Sequence, residues 1–237
     1  MSLSIEVLDD PASVCAQMLS GAAAAGPGGG AQIVLAGGST PRAVYEQLAG
    51  TVRAGGLDLG LTTFWFGDER CVSPEDERSN YKMVKAALLD QLGDAARLGV
   101  RRISGELGPF DAADAYEHEL RAAGPPRFDL VLLGIGPDGH TASLFPDQPS
   151  LGEDARLVLG VPQAGLEPYV PRVTLTLPAL ALARNVVMLA SGSSKARAVL
   201  AAFGPDARPD PHVPCSLLPP LVDELTVLLD PAAAARL

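Results

Sequence analysis

Short, uninterrupted apolar runs that end in glycine constrain this chain more than any other feature. Leu130-Val-Leu-Leu133 breaks into Gly134, Gly136, Pro137 and Gly139, and Ile33-Val-Leu-Ala36 breaks into Gly37 and Gly38. A run without polar alternation reads as a strand buried on both faces, the habit of parallel sheets. Strand-like runs at residues 5–8, 33–36, 62–66, 130–133, 156–161, 172–177, 186–190 and 225–229 continue the pattern. Segments of helical spacing lie between them at 11–25, 41–49, 80–91, 112–122 and 194–203. Such alternation predicts an α/β fold, a mainly parallel sheet with helices on both faces. The stretch Gly26-Pro-Gly-Gly-Gly30 reads as a surface connection. No compositional break or internal repeat divides the 237 residues, so residues 1–237 are expected to form a single domain.

Composition narrows the partners. A formal net charge of −10 leaves no basic stripe to displace counterions, so no nucleic-acid partner is expected. An anionic small molecule is still admissible, held by a few local cations against an unfavourable overall field. No apolar stretch is long enough for a membrane span. The opening Met-Ser-Leu-Ser-Ile-Glu lacks the basic and apolar regions of a secretory signal. Cys15, Cys71 and Cys215 show no metal or redox spacing, which fits reduced thiols in a cytoplasmic protein. The three histidines have no paired ligand spacing, so neither metal nor cofactor is expected, and nothing points to an obligate protein partner.

Ligands of open α/β sheets bind where loops leave the carboxyl ends of strands. The loop after residue 133 places Asp138 and His140 there, two residues apart. His140 is either a helix-capping loop residue or a general base; the flanking glycines and the nearby carboxylate favour the base. Asp138 either orients the ring or shapes the turn. After the second run, Gly37-Gly38-Ser39-Thr40-Pro41 gives two glycines, an N-cap at Thr40 and a proline at the first helical position. A helix start with small hydroxyl residues suits a phosphate, although ordinary capping would look the same. After the third, Asp68-Glu69-Arg70 forms either a self-neutralising surface cluster or a working group. In the working group Arg70 polarises a substrate oxygen, and Asp68 accepts a hydroxyl or holds an imidazole. Ser79-Asn80 reads as a helix start. Lys195 follows a Gly/Ser turn in the first turn of a helix, where a cation opposes the dipole unless an anion is bound. Arg172 heads another strand and is ambiguous alone, His118 lies on an exposed helix face, and His212 sits in a proline-rich loop.

Together, Ala36-Gly-Gly-Ser-Thr-Pro41, Phe66-Gly-Asp-Glu-Arg70, Ser79-Asn80, the block from Gly134 to Pro146 and Ser191-Gly-Ser-Ser-Lys195 resemble the 6-phosphogluconolactonase family in order and across most of the chain. The resemblance implies a modified doubly wound sheet, shared with glucosamine-6-phosphate deaminase/isomerase. It further implies hydrolysis of a sugar phosphate lactone, 6-phosphoglucono-δ-lactone, in the oxidative pentose phosphate route, without a cofactor. By the same resemblance His140 is the general base with Asp138 beside it, and Arg70 lies near the reacting centre with Asp68. Gly38, Ser39 and Thr40 form the phosphate loop, with Lys195 and Arg172 as its cations. Cys71 departs from the more polar residue expected after Arg70. Two alternatives remain. A deaminase/isomerase would carry a glutamate where this chain has Phe145. A non-catalytic sugar-phosphate sensor would usually carry a DNA-binding module, whereas this acidic chain begins directly with the sheet.

Overall fold

The computed structural model describes residues 2–26, 30–93, 98–123 and 127–237; the centre of the predicted glycine-rich connection, 27–29, lies outside them. Along the chain run β1 (Ser2–Val7), α1 (Pro11–Ala25), β2 (Gln32–Leu35), α2 (Ser39–Arg53), β3 (Thr63–Phe66), β4 (Asp68–Arg70), α3 (Asn80–Ala87) and β5 (Gly99–Arg101). There follow α4 (Pro109–Ala122), β6 (Leu130–Gly134), β7 (Val158–Val161), β8 (Arg172–Leu175), α5 (Leu177–Leu180), β9 (Asn185–Ala190), α6 (Ala196–Phe203) and β10 (Glu224–Leu229).

Seven strands form one sheet in the order β1-β10-β9-β6-β2-β3-β5, every pair parallel. Successive strand residues point to opposite faces, yet β6 buries Leu130 through Leu133 without a break and β9 buries Val186 through Ala190. Both faces of the centre are therefore covered by other layers, as the unalternated apolar runs predicted. From β2 the chain moves outward to β3 and β5; from β6 it moves the other way to β9 and β10. The adjacent strands β2 and β6 thus flank the point where the winding reverses, and a crevice opens at the carboxyl ends of such a pair. Their two outgoing loops are the glycine-rich ones.

Two runs expected to continue the parallel series do not. Within residues 156–161 and 172–177, β7 and β8 pair antiparallel with each other, and β8 pairs antiparallel with β4 on its other edge, in a separate three-stranded sheet. Periodicity reports that a run is buried, not which sheet it joins. The charged triplet at 68–70, read as a loop, supplies the third strand. Gly67 marks the switch between sheets: its N–H donates to Leu35 O at 3.0 Å, while its carbonyl accepts Leu175 N at 2.8 Å.

Helix boundaries also shift. α2 starts at Ser39 with Gly38 at the cap, its φ of 105° open to glycine, rather than with Thr40 as the cap. α3 stops at Ala87 and is followed by a 3-10 turn at Leu89–Gln91, and α4 starts earlier than its periodic stretch, at Pro109. Lys195 closes a 3-10 turn, Ser193–Lys195, just before α6. Among the described residues no helix is long and apolar enough to cross a membrane. The three cysteines are free thiols.

Candidate active site

A cleft of about 470 Å³ opens where the loops after β2, β3, β6 and β9 meet the small sheet. Its walls include Gly38, Ser39, Thr40, Asp68, Arg70, His140, Arg172 and Lys195, so eight of the nine residues singled out from sequence converge on one space. The ninth, Asp138, stands behind His140.

The His140 loop is closed on itself. Gly136 N–H donates to His140 O at 2.8 Å, and Gly139 N–H to Gly136 O at 3.0 Å. The Asp138 carboxylate accepts the His140 backbone N–H at 3.2 Å and lies 2.6 Å from ring Nδ1. Both roles open to Asp138 are therefore filled at once: it shapes the turn and orients the ring. Burial is the largest single influence and pushes its carboxyl upward, but the His140 hydrogen bond, the charge of that ring and the backbone donors together outweigh it and hold the carboxyl below the ordinary range. An ionised carboxylate only accepts, so Nδ1 carries a proton, which leaves Nε2 as the atom bearing the lone pair in the neutral ring. Gly136 makes this approach possible: a Cβ there would fall 2.0 Å from His140 Nδ1 and 2.5 Å from Asp138 Oδ1. From outside, Cys215 N–H fastens Gly139 O at 3.0 Å.

Asp68-Glu69-Arg70 is not a self-neutralising surface cluster, because Asp68 and Glu69 are buried. Nor does Asp68 hold the imidazole. Its carboxylate accepts Ser143 Oγ–H at 2.6 Å and Asn80 Nδ2–H at 3.0 Å, tying the His140 loop to the start of α3. Glu69 caps that helix, accepting from Asn80 N and Tyr81 N at 2.7 Å each and from Ser79 Oγ at 3.0 Å. Burial raises the Glu69 pKa, with those backbone donors opposing. Ser79 is the N-cap expected of it.

Arg70 donates from Nη1 to Arg78 O at 2.6 Å, but its buried Nε has no partner among the described residues. Directly across the β4–β8 ladder stands Arg172, which donates from Nε to Val170 O at 3.1 Å and from Nη2 to Pro168 O at 2.8 Å. Burial, and then the Arg70 charge, hold the Arg172 guanidinium below its usual range, while Asp68 and Glu69 oppose. Like charges facing each other across a sheet are unfavourable, so this wall is receptive to an anion.

The opposite corner is built from α2 and the turn before α6. Tyr45 Oη pins the end of β2, accepting from Ala36 N at 2.9 Å and donating to Ala36 O at 2.7 Å. This fixes Gly38, Ser39 and Thr40 at the start of α2, whose first N–H groups have no intrahelical acceptor. Asp230 anchors the second turn by accepting Gly192 N–H at 2.9 Å. Lys195 is half-buried, and burial lowers its pKa against a partial counter-pull from Asp138.

Residues beyond these nine also shape the cleft. Asn80, which the sequence marks as a helix start, also lines the cleft and fills the space a Gly37 side chain would need. Phe145 lies with its ring centroid 4.8 Å from that of His140. Glu167 brings a second carboxylate to the cleft wall. Only the bare Cα of Gly37 hinted at Asn80 in the sequence, and nothing there signalled Glu167. His118 is exposed, and His212 pairs with Asp147 on the surface at 2.6 Å, so neither contributes to the cleft.

Residues 6–227 match the model of a family described as glucosamine-6-phosphate isomerases/6-phosphogluconolactonase. A 6-phosphogluconolactonase from Synechocystis is 38% identical over 98% of this chain and 95% of its own length. The solved 6-phosphogluconolactonase from Trypanosoma brucei has a TM-score of 0.82 at 28% identity, covering 100% of this chain and 99% of that one. A monomeric glucosamine-6-phosphate deaminase has a TM-score of 0.84 at 21% identity, covering 100% of both chains. The last likeness shows a shared fold alone, so shape does not separate the two chemistries.

Proposed function

The chain belongs to the glucosamine-6-phosphate isomerase/6-phosphogluconolactonase family, and from that premise we propose that His140 is the general base that hydrolyses 6-phosphoglucono-δ-lactone in this cleft. Its relatives make it a lactone hydrolase of the pentose phosphate pathway. The observation that carries the mechanism is the Nδ1 of His140 committed to Asp138 at 2.6 Å on the wall of a cleft that also holds Lys195. A ring so held keeps Nε2 as its basic atom.

A lactone is an activated ester, so the demand on the site is modest. Nε2 takes a proton from water as its oxygen bonds to C1. The negative charge formed on the carbonyl oxygen needs a positive neighbour, and the Arg70 guanidinium on the cleft wall supplies it. Collapse of the tetrahedral species breaks the bond between C1 and the ring oxygen, which takes the proton back from the imidazolium. The product carboxylic acid then ionises and releases a proton to solvent. At the other end, Ser39, Thr40 and Lys195 hold the phosphate at a helix start, with Arg172 contributing its charge from the wall. Anchoring both ends converts encounter into a defined approach.

The deaminase reading meets an obstacle in Phe145. That reaction needs further acid–base equipment beside the histidine, whereas here a phenyl ring occupies the adjoining space.

The test is acid release from the lactone generated in situ from glucose 6-phosphate. His140→Ala is expected to lower kcat by at least about 100-fold, the usual worth of a general base. Turnover near the wild-type rate would remove His140 from the reaction.

A further inference from the structure

Phe145 is only 2% exposed, yet it stands apart from the main core. With Val161, Ala164 and Leu166 it makes a second, separate apolar cluster. Ala164 and Leu166 lie in the connection between β7 and β8, residues 162–171, whose base is the register pair Val161 and Arg172. Arg172 grips this connection from inside through Val170 O and Pro168 O. At Gly165 its backbone lies against the ring of Phe145: a Cβ there would be 3.0 Å from Phe145 Cγ and 3.1 Å from Cδ1. Phe145 also meets the imidazole, with ring centroids 4.8 Å apart and the planes inclined at 42°. A chain of contact therefore runs from Arg172 through the 162–171 connection and Phe145 to His140.

The Asp138 bond fixes one edge of the imidazole, and the ring can still swing about that edge. We propose that Phe145, backed by the 162–171 connection, is a positioning residue that stops this swing and holds His140 Nε2 toward the cleft. The proposal rests on the reading of His140 as the base. It gives Arg172 a mechanical duty in addition to its charge, since two of its donors are spent on the connection.

The test uses two variants. Phe145→Leu keeps the apolar cluster but removes the flat face, and Gly165→Ala leaves Phe145 in place while pushing on it. Because a displacement of about 1 Å can cost about 100-fold, Phe145→Leu is expected to lower kcat by about 10-fold or more, with KM nearly unchanged. Gly165→Ala should lower kcat in the same sense by a smaller factor. The Nδ1 proton resonance of His140 in the NMR spectrum should be sharp in the wild type and broadened or lost in Phe145→Leu. If Phe145 merely fills space, the leucine variant will lose melting temperature while kcat and the proton signal stay intact; that result overturns the proposal. His140→Ala in the same assay keeps the two ideas separate: retained activity there sinks the base, whereas the resonance reports whether Phe145 holds the ring in either case.

Discussion

At the His140 end of the cleft, hydrogen bonds are already made. Asp138 serves the ring and the turn, Ser143 and Asn80 occupy Asp68, and Glu69 is fully employed in capping α3. At the Ser39 end, by contrast, the strand and the turn are pinned from behind by Tyr45 and Asp230, while the helix start and the half-buried Lys195 face the cleft, Lys195 with no ion pair among the described residues and only a partial pull from Asp138. On the proposed function, the difference follows from what each end must do. A base has to be aimed before the substrate arrives, because aiming it later would cost part of the binding energy. A phosphate brings its own charge and acceptors, so its site is completed by the ligand.

The sharpest way to break this comparison is to disturb the finished end with the smallest change. Gly136→Ala puts a methyl group where His140 Nδ1 and Asp138 Oδ1 now sit, at 2.0 and 2.5 Å. We expect kcat to fall by about 100-fold or more, comparable with loss of the base itself. Measurement of the melting temperature alongside kcat separates a displaced ring from a collapsed fold; near-normal turnover would mean that the Asp138 contact is dispensable.

A smaller effect of a different kind is expected at the open end. Lys195→Ala removes one charge-assisted hydrogen bond, worth roughly 1.5–3 kcal/mol, so KM for the phosphorylated lactone should rise about 10- to 100-fold with kcat little changed. The unphosphorylated lactone should be indifferent to the substitution. Equal losses on both substrates would place Lys195 at the reacting carbon and erase the distinction between the two ends.

Much of this cleft was legible in the sequence because its parts are local. Each of the apolar runs ending at Leu35, Phe66, Gly134 and Ala190 becomes a parallel strand, and its outgoing residues must then gather at one edge of the sheet. What stayed hidden depends on pairing across long separations. Asp68 meets Ser143 across 75 positions, and nothing in the charged triplet reveals that its carboxylates turn inward. The small antiparallel sheet was misread for a related reason, since a buried four-residue run looks alike in either sheet. β5 escaped notice because its outer residues are exposed and it lacks an apolar run. The contact of Phe145 with His140 crosses only five positions, but it depends on the left-handed turn at Ala142, with φ of 47°, which periodicity does not register.

A crystal structure with 6-phosphogluconate bound addresses the orientation of the substrate without recourse to kinetics. The C1 carboxylate should lie within hydrogen-bonding distance of His140 Nε2 and Arg70, with the phosphate at the start of α2 beside Ser39, Thr40 and Lys195. A phosphate seated against His140, with the carboxylate at the Ser39 corner, would contradict the assignment of the two ends.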